Sequence, residues 1–143
     1  MVKMTVEYLG NLNIKSTHEP SKSILKTAAP IDNNGDGSSF SPTDLLANAT
    51  LNCMITIMGI SANTHNYSIE GTTGSVEKHM EANPRRVGKL VININVPQNL
   101  SEKETELVWA SARNCPVMNS LSSDLEIDLN ITFIKKTFEL RAM

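Results

Sequence analysis

Between Ser41 and Ala62 the chain carries a helical pattern that is apolar on almost every side, and no other feature restricts the possible folds as much. Ser41 is a good N-cap, Pro42 falls at the first helical position, where its missing N–H costs nothing, and Asp44 can complete a capping box. Beyond that turn Leu45, Leu46, Ala49, Leu51, Cys53, Met54, Ile55, Ile57, Met58 and Ile60 surround the axis. A helix of this kind needs cover on most of its circumference. A chain of 143 residues can build one core, but covering such a helix calls for a wrapped sheet or a second subunit. The apolar stretch is broken by Asn48, Thr50, Asn52 and Thr56. It falls short of the roughly 20 residues of a membrane span, so a core helix is expected and no membrane contact.

Strand patterns flank this helix. Residues 2–9, 12–18 and 23–28 read as short strands, the first pair turning at Gly10-Asn11. Residues 67–79 and 87–96 read as a hairpin with its tip at 81–86. In its second arm Leu90, Ile92, Ile94 and Val96 alternate with Lys89, Asn93 and Asn95, so one face must cover a core. A second helix is expected from Ser101, with Glu104 completing a capping box, to Cys115-Pro116, where proline ends the ladder. The last strand alternates Leu125, Ile127, Leu129, Ile131 and Phe133 with Glu126, Asp128, Asn130 and Thr132. Strands, helix, strands, helix and strand in that order give an α+β fold in a single domain over 1–143.

Charge and composition exclude several function classes. A formal net charge of −2 provides no basic footprint for nucleic acid, and 4% aromatic residues provide few stacking platforms. The opening MVKMTVEYLG lacks the apolar core of a secretory signal, so a cytoplasmic location is expected.

The stretch DNNGDG, residues 32–37, matches the first half of a calcium loop, with Asp32, Asn34, Asp36 and Gly37 in place. The pattern then fails. Thr43 stands where the bidentate Glu belongs, and Pro42 lies inside the would-be loop. A flexible Asn/Gly/Asp turn is the expectation, and neither metal nor cofactor is expected anywhere in the chain.

Chemistry then rests on two cysteines, Cys53 within the first helix and Cys115 at the end of the second. With no CxxC and only His18, His65 and His79 as histidines, no zinc signature exists. A free buried cysteine is most often a small core hydrophobe, whereas a pair in a reducing compartment is more often redox-active. The pattern does not show that the two meet.

FSPTDLLANATLNCMITIMGI, residues 40–60, resembles the central helix of the OsmC/Ohr family, the osmotically inducible and organic hydroperoxide resistance proteins. CPVMNSL, residues 115–121, resembles that family's second cysteine motif. The similarity extends through YLGNLNIKSTHEP near the start and MEANPRRVGKLVININVP in the hairpin, nearly the whole chain. The resemblance implies an intertwined homodimer with antiparallel sheets wrapped around long buried central helices. It further implies reduction of organic hydroperoxides, with Cys53 attacking, Cys115 resolving and an external dithiol resetting the pair. A redox sensor, a dimer binding a small apolar ligand and a purely structural dimer are the alternatives.

The sequence departs from the peroxidase branch at two positions. That branch carries an early Arg where Asn13 stands here, with Lys15 and His18 nearby, and a Glu where Thr43 stands. The nearest acid, Asp44, is either a helix cap or a catalytic carboxylate, although it lies about two and a half turns before Cys53 and nominally across the axis. Arg85 and Arg86 match this branch of the family, or else form a solvated hairpin tip. Without the early Arg, slow peroxide reduction that quickens with rising pH is expected.

Overall fold

A computed structural model of the chain describes residues 1–134. The expected single domain over 1–143 thus extends over residues 135–143, which lie outside the described ones. The chain forms two compact units, one of Met1–Leu46 and one beginning at Ala47.

The first unit is an antiparallel meander of β1 (Met4–Gly10), β2 (Asn13–His18) and β3 (Ser23–Ala28). Gly10 at φ +89, Asn11 at +54 and Leu12 at +61 turn the first hairpin through left-handed backbone, which glycine and asparagine adopt at least cost. Strand alternation sends Met4, Val6 and Tyr8 to one face, opposite Ser16 and Ile14 of β2, and all three are exposed. With Leu25 they leave an apolar sheet face bare in a single chain. A groove of about 390 Å³ runs along it, lined by Met4, Val6, Ile24, Leu25 and Leu45 among others.

After β3 the Asn/Gly/Asp segment folds back on itself. The N–H groups of Asn33 and Gly35 donate to the Pro30 carbonyl at 3.0 and 2.9 Å, and that of Gly37 to Ala29 at 3.2 Å. A Cβ on Gly35 would sit 1.8 Å from the Ala29 carbonyl oxygen, so only glycine fits there. Asp36 accepts from the Ser38 N–H at 2.9 Å and from the Asn13 amide, contacts that hold its carboxyl below the usual range. Among the described residues, no group of three or more His, Cys, Asp or Glu side chains is gathered for a metal ion.

The long helix α1 spans Pro42–Thr64. Its N-terminus is a reciprocal capping box, in which Ser41 Oγ accepts from the Asp44 N–H at 3.0 Å and Asp44 Oδ2 accepts from the Ser41 N–H at 2.9 Å. At its other end Asn66, at φ +60, lets the Tyr67 N–H reach back to the Ala62 carbonyl at 3.0 Å, a Schellman closure with asparagine in the glycine position. At 23 residues, with a mean hydropathy of 1.5 over its most apolar 18-residue window, α1 is long and apolar enough to cross a membrane by those two measures, contrary to the expectation of too short a stretch. Its packing is nevertheless that of a core helix. The stripe Ala47, Thr50, Leu51, Met54, Met58 and Ala62 is buried, and all of its members except Thr50 belong to the hydrophobic core of the second unit.

That core lies against a three-stranded sheet ordered β4 (Thr73–Glu81), β5 (Arg86–Val96) and β6 (Glu126–Phe133). The alternation expected in β5 holds, with Leu90, Ile92, Ile94 and Val96 all at most 1% exposed. β4 starts later than the sequence pattern suggests, because the Thr72 N–H turns back to the Ile69 carbonyl at 3.1 Å before pairing begins. In β6 only Ile131 is buried, although Leu125, Ile127, Leu129 and Phe133 pack against the core as their alternation predicts.

The antiparallel expectation needs correcting here, because β6 runs parallel to β5. The physical reason is the connection between them. Parallel neighbours require a crossover of a dozen or more residues, and α2 (Glu102–Arg113) with α3 (Pro116–Ser120) supplies it. α2 opens on the expected capping box of Ser101 and Glu104, with bonds of 2.9 and 3.1 Å. It ends before Cys115 rather than at it, on Asn114, whose N–H bonds the Ser111 carbonyl.

Candidate functional site: a thiol pair

The break between α2 and α3 determines where Cys115 points. Pro116 has no N–H to donate and its fixed φ suits a first helical turn, so the chain restarts as α3 with Cys115 as N-cap in extended conformation. The Cys115 Sγ accepts a hydrogen bond from the Met118 N–H at 3.4 Å, and the side chain is fully buried in the core. Sequence reading missed this backbone donor. Its signal was present in Cys-Pro, a cap residue followed by the proline that favours the first helical position.

Cys53 lies beside the buried stripe of α1 and is partly exposed. Its thiol is near enough to Cys115 to shift that thiol's pKa, so the structure brings together two free thiols from separate helical segments. Burial pushes the Cys115 thiol above its ordinary pKa. The N–H groups of Met118 and Val117 pull the other way, while the neighbouring Cys53 thiol raises it further. The net direction is upward because desolvation is the largest contribution. Cys115 therefore keeps its proton at neutral pH.

The remaining candidates make contacts of their own. The Asp44 carboxylate forms the cap described above, and Thr43 Oγ1 is 3.2 Å from Ser41 Oγ. Asn13, at the start of β2, donates to the Asn11 carbonyl at 2.7 Å and to Asp36. Lys15 sits in β2 between Glu7 and Lys26. His18 accepts from the Ser21 N–H at 3.3 Å through Nδ1, which also lies 2.6 Å from Ser21 Oγ, and so fastens the turn between β2 and β3. Arg86 pairs with Glu81 at 2.7 Å across the hairpin, and Arg85 is exposed at the tip.

Two β-sheets, a long helix and a pair of neighbouring free thiols define the class of this α+β protein. The family model described as OsmC-like protein matches residues 35–130, and the chain belongs to that family. Among solved structures, a provisionally assigned osmotic stress induced and detoxification response protein from Psychrobacter arcticus 273-4 is 40% identical, with a TM-score of 0.85 over 94% of this chain and 96% of that one. An organic hydroperoxide resistance protein, OsmC, from Legionella pneumophila is 22% identical, with a TM-score of 0.69 over 92% and 96%. The organic hydroperoxide resistance protein OhrB of Bacillus subtilis is 19% identical, with a TM-score of 0.64 over 94% and 98%. The last two share the fold. No curated protein matches the sequence.

Proposed function

We propose that the chain is a thiol-dependent peroxidase that reduces organic hydroperoxides by cycling Cys53 and Cys115 between dithiol and disulfide. The observation that carries this reading is the contact between a partly exposed thiol and a buried one. Membership of the OsmC-like family and the hydroperoxide resistance of structurally similar proteins support it.

In the cycle, the Cys53 thiolate attacks one peroxide oxygen and the O–O bond breaks. The alkoxide leaves as an alcohol after taking a proton, and Cys53 becomes a sulfenic acid. Cys115 then attacks the Cys53 sulfur, the S–O bond breaks, and hydroxide departs as water with the Cys115 proton. The raised pKa of Cys115 slows this step, because the thiolate is the nucleophile. An external dithiol restores the pair, and such cycling fits a reducing, cytoplasmic setting.

The working unit in this reading is a homodimer. One chain leaves Met4, Val6, Tyr8 and Leu25 of its N-terminal sheet exposed, and Leu46 and Ile60 of α1 as well. Apolar surface on this scale marks an interaction face.

Mass spectrometry after one equivalent of cumene hydroperoxide tests the chemistry. The wild type should lose two hydrogens to a Cys53–Cys115 disulfide, and Cys115→Ser should show a sulfenic acid and then higher oxides. A Cys53 that stays reduced under excess of several hydroperoxides overturns the reading. Oxidation without sustained turnover on a dithiol would instead favour a redox sensor, a reading that the raised pKa of the resolving thiol also accommodates.

A further inference from the structure

Asn34-Gly35 is the one asparagine–glycine pair in the chain, and Asn34 is exposed on the turn between β3 and α1. Asparagine before glycine is prone to deamidation, because glycine has no side chain to keep its amide nitrogen from the neighbouring carboxamide carbon. The fold opposes that reaction in two ways. Asn34 sits at φ 67 and ψ 10, so the Gly35 nitrogen nearly eclipses that of Asn34 and lies about a third of a turn away from the Asn34 Cβ. The Gly35 N–H is also committed to the Pro30 carbonyl at 2.9 Å. We infer that Asn34 is a self-modification site closed by the 30–37 turn, which converts to isoaspartate when the turn opens and then prevents the turn from reforming. The inference is independent of the thiol chemistry proposed above.

In the opened turn the Gly35 nitrogen, having lost its proton to base, attacks the carbonyl carbon of the Asn34 side chain. A C–N bond forms, the bond to Nδ2 breaks, and Nδ2 leaves as ammonia with a proton from solvent. Water then opens the five-membered imide. Cleavage at the Asn34 main-chain carbonyl carries the chain on through the side chain as isoaspartate, and cleavage at the other carbonyl gives aspartate. Isoaspartate adds a methylene to the main chain where the turn has no room for one. A Cβ on Gly35 would already sit 1.8 Å from the Ala29 carbonyl oxygen and 2.1 Å from its carbon. Asp36-Gly37 forms the same imide only from the neutral acid. The Ser38 N–H, 2.9 Å from Asp36 Oδ1, holds that carboxyl ionised, and a carboxylate is a poorer electrophile than the Asn34 carboxamide. The modification therefore falls on Asn34.

The test incubates the full chain at pH 8, folded or in guanidinium chloride, and follows Asn34 by peptide mass mapping, with isoaspartate counted by carboxyl methyltransferase labelling. Asn34 should convert at least about tenfold more slowly in the folded chain, and equal rates overturn the inference. A conversion that falls first on Asp36 in either sample overturns the assignment to Asn34. Gly37→Ala puts a Cβ at φ 65 and 2.9 Å from Ile31 Cγ1, so it should open the turn and speed the conversion about fivefold in native buffer. An unchanged rate would mean that this turn does not restrain Asn34. The consequence is read separately, on wild-type chain aged to isoaspartate and purified. It should melt below Asn34→Asp, which carries the same charge on a main chain of normal length. Equal midpoints would overturn the inference that the modified turn cannot reform.

Discussion

Replacing Asp44 separates its two roles. In Asp44→Ala the Ser41 N–H loses its 2.9 Å acceptor, and Ser41 is only 1% exposed, so little water can take over. Losing half of a capping box costs about 1 kcal/mol. Removing the acid from the positive end of the helix costs about 0.3–1 kcal/mol more. The sum, about 1–2 kcal/mol, lowers the melting midpoint of a chain this size by about 3–6 °C. Asp44→Asn keeps an acceptor oxygen and should recover roughly half of that loss. Thermal unfolding followed by circular dichroism at pH 7 and one fixed protein concentration measures the stability, since association would otherwise shift the midpoint. The rate of Cys53 oxidation by cumene hydroperoxide, measured in the same samples, should stay within about twofold of wild type, because a cap acts on the helix and not on the peroxide. A fall of tenfold or more in that rate with an unchanged midpoint would refute the capping argument and make Asp44 a catalytic carboxylate.

Three further outcomes are expected. Ile92→Ala, in the centre of β5 with no exposed surface, should cost about 2–5 kcal/mol in urea unfolding through the cavity it leaves, and a loss below about 1 kcal/mol would place Ile92 outside the core. Because burial raises the Cys115 pKa, the folded reduced protein binds its proton more tightly than the unfolded chain does. The stability this contributes is complete below the ordinary cysteine value of about 8.5 and is lost as pH rises through the higher folded value. The melting midpoint of the reduced wild type should therefore fall more steeply above about pH 8.5 than that of Cys115→Ser, and parallel curves would refute the shift. Light scattering at micromolar concentration should give twice the chain mass of 15.7 kDa, and a stable monomer would remove the dimer from the proposal.

Much of this protein is legible in its sequence wherever neighbours along the chain decide the outcome. Both capping boxes, the Ser41–Asp44 pair and the Ser101–Glu104 pair, form as read, because a cap involves residues three apart. The alternation in β5 identified the buried face, since the pleat sends successive side chains to opposite sides. The rest depended on contacts between distant segments. The direction of β6 follows from the crossover through α2 and α3, and a strand's own alternation is the same whether it pairs parallel or antiparallel. The helix that looks apolar all round buries only one stripe within a single chain, because composition does not say which side finds a sheet and which is left for another partner. The cysteines showed the same division most clearly. Their identity and the Cys-Pro break were in the sequence, but their contact depends on tertiary packing, which buries one sulfur under the Met118 N–H and leaves the other partly open.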